Sequence, residues 1–457
     1  MTGFLIGVAV TAIVAWLIVK KYQPHAVLLI AGLFLLAATA VLFPETSILY
    51  GKTKSTGWVG FDVFNYVKES MGVQAAGLGM IIMAAGGFAK YMDHIGATDA
   101  MVEVCIGPLK LLKAPYVVLA LGYAVGQVLN IFIPSAAGLA MLLLVTFYPT
   151  LVRLGVSRAA AAAMIGTTSV LDLGPASGTA NLAAKTAGLD PAIYFVHYQI
   201  PVAVVTVIVI SILTYVTARY FDRKDGHIVT METTGKTGAG GQLKKVPAIY
   251  SILPMVPLTL ILVFSKLLVD SIKMDVVTAM IIGMLLALLC EAVRTRDMRE
   301  VLKGMMAFFD GMGRMFGRIV TLIICAETFA AGLKVIGAVD FMISAVHEGG
   351  LGITVMTLLM CAMVSATAII TGSGVAAFFS FASLTPTIAA KFGVGAVAML
   401  LPMQLVAGLA RSMSPVAGVI IAVSDAGQCS PFEIVRRTVI PVGGGLIAVI
   451  LYSVIFV

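Results

Sequence analysis

The most telling side chain in this sequence is an isolated guanidinium. Arg411 follows the apolar stretch 401–410 and precedes Ser412-Met413-Ser414-Pro415-Val416-Ala417-Gly418. A guanidinium inside a membrane costs about 2.5 kcal/mol or more, so it calls for a partner. Its planar fork matches a carboxylate with two parallel hydrogen bonds. That partner is either a bound anion or a fixed acid of the chain, for which Asp172 is the candidate.

The residues after Arg411 form one of four similar interruptions of apolar sequence. The others are Pro134-Ser135-Ala136-Ala137-Gly138, Gly174-Pro175-Ala176-Ser177-Gly178-Thr179 and Thr371-Gly372-Ser373-Gly374. Proline removes a backbone donor and glycine permits left-handed backbone, so each stretch opens a helix. The half-helix that follows then presents free N–H groups and a positive dipole end, which attract carboxylate. The hydroxyls of Ser135, Ser177, Thr179, Thr371, Ser373, Ser412 and Ser414, and the amides of Asn181 and Gln404, stand beside these openings. Pro175, Gly178, Gly372, Gly374 and Pro415 supply the backbone conformation. Small residues and prolines also simply allow membrane helices to pack closely. Four openings in symmetric positions favour a binding role over packing alone. Two acids lie in apolar sequence, Asp172 and Glu327, and are candidates to carry a coupling proton. Asp310 and Asp425 lie nearer helix ends.

The elements that must position these residues are membrane helices. Hydrophobic residues make up 60 % of the chain and charged residues 11 %, less than half the usual share for soluble domains. Mean hydropathy is +1.05. Soluble enzymes and nucleic-acid-binding proteins are thereby excluded. Apolar spans are expected at 3–19, 26–43, 75–89, 116–151, 159–184 and 193–218, and again at 249–265, 276–292, 315–333, 351–390, 394–424 and 434–457. The first has no basic residue before it and Lys20-Lys21 after it, which suits a retained helix rather than a signal peptide. Stretches 116–151 and 351–390 are too long for one crossing and read as re-entrant hairpins, with their polar tips inside protein. Stretches 59–69 and 298–310 read as interfacial amphipathic helices.

Matches at a shift of 240 or 241 residues reveal an internal repeat. Met71-Gly72 recurs as Met312-Gly313, Phe88-Ala89 as Phe329-Ala330, and Ile95-Gly96-Ala97 as Ile336-Gly337-Ala338. Pro175 and Gly178 recur as Pro415 and Gly418, and Ile200-Pro201-Val202 as Ile440-Pro441-Val442. The expected organisation is a first repeat over 1–218, a cytoplasmic linker over 219–245 and a second repeat over 246–457. With five crossings each, the repeats are inverted. The fold class is therefore an all-α polytopic membrane protein with two inverted repeats, each bearing a re-entrant hairpin and a broken helix. Inverted repeats with interrupted helices belong to secondary transporters, whose substrate lies near the midplane. The net charge of +8 fits this layout. Nineteen of the 30 basic residues fall in the loops of one side, against eight on the other, which makes the first side cytoplasmic and places both termini outside.

Other chemistries find no support. The five cysteines are scattered, no histidine motif suggests a metal, and no GxxxxGK[ST] loop binds nucleotide. No catalytic residue and no cofactor is expected. A passive anion channel would need a continuous polar stripe along several helices, and none is visible.

Several stretches resemble the DcuC family of anaerobic C4-dicarboxylate carriers. They are 412–418, Ser430-Pro431-Phe432-Glu433 with Arg436-Arg437-Thr438, Thr371-Gly372-Ser373-Gly374, Pro175 with Ser177-Gly178, and Gly87-Phe88-Ala89 with Tyr91-Met92 and His94-Ile95-Gly96-Ala97. The resemblance runs over essentially the whole chain. It implies a bacterial inner-membrane carrier of succinate, fumarate or malate, working by exchange or by coupling to protons. The family in turn resembles the ion transporter superfamily, which implies a homodimer with elevator-type transport domains. A tricarboxylate or amino-acid anion, with sodium as the coupling ion, is the alternative cargo.

Overall fold

The computed structural model describes residues 2–20, 22–51, 53–227, 246–269, 271–338, 341 and 352–457. Within them the chain is helical and contains no strand. The first half comprises α1 (Thr2–Val19), α2 (Pro24–Leu42), α3 (Val59–Ile95), α4 (Ala97–Ile106), α5 (Pro115–Phe132), α6 (Ala136–Thr146), α7 (Tyr148–Arg153), α8 (Arg158–Gly166), α9 (Gly178–Thr186) and α10 (Pro191–Lys224). The second half comprises α11 (Ala248–Val263), α12 (Val276–Thr295), α13 (Met298–Val335), α14 (Ile353–Thr371), α15 (Gly374–Ala382), α16 (Thr385–Lys391), α17 (Val397–Arg411), α18 (Gly418–Gly427) and α19 (Pro431–Phe456). Eight of these helices are long and apolar enough to cross a membrane. The chain is a multi-pass membrane protein.

Local sequence explains where helices begin. Proline at the first helical position opens α2, α5, α10 and α19, where a missing N–H costs nothing. Serine caps the N-termini of α6, α8, α9, α15 and α19 through Ser135, Ser157, Ser177, Ser373 and Ser430. The hydroxyls expected at the openings therefore double as caps.

Three boundaries differ from expectation. Segments 59–69 and 298–310 are helical as expected, but no loop parts them from the apolar helices that follow. They run on into α3 and α13, which are 37 and 38 residues long. Each passes through a π turn, Ala75–Gly79 in α3 and Phe316–Val320 in α13, offset by the 241-residue repeat. In α3 the helix kinks at this turn, where Gly77 takes non-helical angles (φ −93°, ψ −105°). The third difference is the end of α10, which runs six residues past the expected 218 to Lys224. Phe221 and Asp222 are buried there, and Asp222 pairs with Arg437 at 2.6 Å. The expected linker lies outside the described residues from 228 to 245.

The halves interlock rather than lie side by side. Helix α2 packs on the later part of α13, and α12 on the later part of α3. The broken helices exchange partners too: α9 packs on α15 and α17, while α18 packs on α6 and α8. Helices α10 and α19 pack on each other. Such reciprocal contacts are what a pseudo-two-fold axis between inverted repeats requires. One apolar cluster is built from α3, α4, α11, α12 and α13, with Ala192. Both hairpins and both broken helices belong to a separate, larger cluster.

Candidate functional site

The four openings come together in pairs, and glycines set the distance. A Cβ on Gly372, at the tip between α14 and α15, would lie 2.8 Å from the Ala417 backbone in the second break. A Cβ on Gly374 would lie 2.5 Å from the Ala407 carbonyl of α17. On Gly408 of the same helix it would overlap the Val170 carbonyl of the first break. The second hairpin tip, α17 and the first break thus form one stack of touching backbones.

The first break, between α8 and α9, is held by amides. Gln199, in the π turn Tyr194–Gln199 of α10, accepts from the Gly174 N–H at 3.0 Å and donates to Gln404 Oε1 at 2.9 Å. Tyr194 donates to the same oxygen at 2.9 Å. Gln404 donates in turn to the carbonyls of Asp172 at 3.1 Å and Leu171 at 3.4 Å. Both Asn181 hydrogens are spent on the carbonyls of Pro175, at 2.6 Å, and Ser177, at 2.8 Å. Its Oδ1 is buried without a donor, as is Ser169 Oγ. Asp172 and Gly174 adopt left-handed backbone, at φ 47° and 85°. For a non-glycine residue that is strain, tolerated best by Asn and Asp.

The second break, between α17 and α18, is wired differently. Ser414 Oγ accepts from the Val416 N–H at 3.4 Å, and Thr438 of α19 donates to the Ser412 carbonyl at 3.0 Å. No side chain caps α18, whose N-cap residue is Ala417. The half-helices after the other three openings all carry a serine cap. Arg411 donates from Nη2 to the Ser169 carbonyl at 2.6 Å. It makes no ion pair with a described acid, so the fixed pair with Asp172 is not formed. The Asp172 carboxylate instead faces Gly408.

The remaining expected site residues distribute as follows. Ser177 Oγ and Thr179 Oγ1 share a hydrogen bond of 2.9 Å, and Gly178 faces Ile82 of α3. Ser135 is exposed and caps α6 by accepting from the Gly138 N–H at 3.1 Å. Thr371 donates back to Thr367 O at 2.7 Å and accepts from the Ser373 N–H at 3.2 Å. Pro175 and Pro134 line a mostly apolar crevice of about 350 Å³ against α3 and α11. Glu327 stands apart. Its carboxylate accepts from Ser70 and Gln74 at 2.8 Å and from Tyr50 at 3.3 Å, facing α3 and the loop before it. Sequence reasoning did not single out Gln199, Tyr194 or Ser169. The two polar residues at 194 and 199 inside a run otherwise read as apolar were the available signal.

Two inverted repeats, interlocked broken helices and hairpins whose tips meet the breaks define a membrane carrier fold rather than an enzyme. The chain belongs to the family of C4-dicarboxylate anaerobic carriers, DcuC, whose model matches residues 3–457. It is 35 % identical over 458 residues to a probable anaerobic C4-dicarboxylate transporter DcuC of Vibrio cholerae, covering 100 % of this chain and 98 % of that one. It is 33 % identical over 455 residues to the anaerobic C4-dicarboxylate transporter DcuC of Escherichia coli K12, covering 99 % and 96 %. The fold is shared with the YdaH transporter of Alcanivorax borkumensis, at a TM-score of 0.63 and 14 % identity over 94 % of this chain and 98 % of that one. It is shared also with MtrF of Neisseria gonorrhoeae, at a TM-score of 0.60 and 15 % identity over 95 % of both chains.

Proposed function

We propose that the chain is a secondary carrier of four-carbon dicarboxylates such as succinate, fumarate or malate across the bacterial inner membrane. Arg411 carries this reading: it is a cation in the second break that forms no ion pair within 4 Å with a described acid and stands in the same opening as the uncapped start of α18. One substrate carboxylate takes the guanidinium. Serine and threonine hydroxyls and the α18 N–H groups serve the rest. Neither Asn181 nor Gln404 has a hydrogen left to donate, so their part is to hold backbone. The unpartnered Asn181 Oδ1 is an acceptor suited to sodium, and Asp172 in the same break is the group that can carry a proton, which supports coupling to a cation at the first break. An apolar cluster centred on α11 and α12, with parts of α3, α4 and α13, supports a fixed scaffold, against which the hairpins and broken helices move as an elevator. A homodimer with both termini outside completes the proposal.

The deciding experiment is counterflow in proteoliposomes. Labelled succinate should enter faster when fumarate is loaded inside, and Arg411→Ala should abolish the effect. Entry that ignores four-carbon diacids but responds to citrate or an acidic amino acid would transfer the site to another organic anion. Conductance without counterflow would make it a channel. A comparison of pH and sodium gradients in the same vesicles assigns the coupling ion.

A further inference from the structure

Outside the transport site, one crevice joins positive charge to a lipid-facing track. It lies where α5 begins and α10 ends, holds about 800 Å³ and is lined by Pro115, Tyr116, Tyr215, Arg219, Arg223 and His227 among others. Arg219 donates to the Tyr215 hydroxyl at 3.3 Å, and the Tyr116 and Tyr215 rings meet edge to face. His227 Nε2 bonds the Gly155 carbonyl at 2.9 Å. The two acids at the end of α10 and just after it, Asp222 and Asp225, pair with other cations than Arg219 and Arg223. Asp222 is held by Arg437, Ser157 and Tyr116, and Asp225 by Arg436 and Arg437. Arg219 and Arg223, both exposed, therefore form no ion pair among the described residues.

Leading to this crevice along α10 is a row of apolar side chains, each more than half exposed: Val204, Ile208, Ile212, Val216 and Tyr220. The spacing of four residues makes them one continuous ridge winding along α10, which in a membrane protein is a track for acyl chains. The pseudo-symmetric partner of the crevice lies where α14 begins and α19 ends. No charged residue lines it among the described residues. The same helix pair thus makes two crevices at opposite ends of the molecule, and only the one on the basic-rich side is built for an anion.

We infer that the α5–α10 crevice binds an anionic phospholipid, its phosphate on Arg219 and Arg223 and an acyl chain along the 204–220 row. Basic pockets between membrane helices on the cytoplasmic side suit such headgroups, and tyrosine suits the interface. The test is native mass spectrometry and thermal unfolding of the detergent-purified protein with phosphatidylglycerol, phosphatidylcholine or inorganic phosphate. The intact protein should retain phosphatidylglycerol about tenfold better than phosphatidylcholine and melt higher with it. Arg219→Gln with Arg223→Gln should lose both effects. Arg296→Gln with Arg299→Gln, two exposed cations at another site, should keep them. Equal retention in the Arg219 and Arg223 variant, equal loss in the control, or a matching shift from inorganic phosphate would overturn the assignment. If the double variant does not fold, Arg223→Gln alone, which removes no hydrogen bond to a described residue, gives the same reading.

Discussion

The two helix breaks occupy equivalent places in the repeats, yet the first spends its amide donors internally and the second keeps a guanidinium without an ion pair among the described residues. In the first, Gln199, Gln404 and Tyr194 satisfy one another and the backbone, Ser177 caps α9, and Asn181 holds two carbonyls. In the second, α18 starts without a side-chain cap and Arg411 reaches across only to a carbonyl of the first break. Buried polar groups that satisfy each other rigidify a structure, whereas unsatisfied ones wait for a ligand. The difference teaches that pseudo-symmetry supplies two openings that need not be wired alike, and on the proposed reading anion recognition falls to the second. The first provides the rigid wall against which Arg411 is set.

The comparison breaks most visibly at Arg411. Arg411→Ala should lower uptake of labelled diacid at least about a hundredfold, because a charge-assisted bidentate pair is lost. Arg411→Lys should recover part of the rate through charge without the fork. Transport unchanged in Arg411→Ala would remove the residue from the site. Next comes the amide network. Gln404→Leu leaves the Tyr194 hydroxyl and a Gln199 hydrogen unpaired, at about 1–3 kcal/mol each, so the unfolding midpoint should fall by several degrees. Transport should fall about tenfold through turnover rather than affinity, since the network shapes the wall and does not touch the anion. A pure affinity loss would place Gln404 on the substrate instead.

Smaller effects sharpen the contrast. Gly372→Ala places a Cβ 2.8 Å from the Ala417 backbone at φ 70°, a conformation that costs about 1–2 kcal/mol for other residues. Uptake should drop severalfold while the first break keeps its network, and a wild-type rate would show that the tip has room to move away. Thr438→Val deletes one hydrogen bond to the Ser412 carbonyl, worth about 1 kcal/mol, and should slow transport about twofold. Glu327→Gln should leave the pH dependence of uptake as it is, because the carboxylate faces Ser70, Gln74 and Tyr50 rather than either break. A flattened pH profile would return Glu327 to the coupling mechanism.

Much of the fold was legible because membrane helices announce themselves one segment at a time. Apolar length, proline and glycine interruptions and the 240-residue register are local or periodic properties. They located both hairpins, both breaks and the isolated Arg411. Boundaries were less legible where a π turn let a polar amphipathic stretch continue into an apolar one, as at 75–79 and 316–320. The site's second layer was not legible at all. Gln199 and Gln404 are 205 residues apart in the chain and meet only because α10 and α17 converge on the first break.

By itself the sequence determined that this chain lives in a membrane, that it repeats itself inverted, and that one cation is left over. Those follow from composition, periodicity and the cost of charge in hydrocarbon. Only the tertiary structure decided what Arg411 does not bind. That it reaches the Ser169 carbonyl and forms no ion pair with Asp172 depends on how the two breaks are set against each other, through glycine contacts at 374 and 408 that bring backbones together. Packing at that distance determines which polar groups are satisfied and which remain open, and no local pattern encodes it.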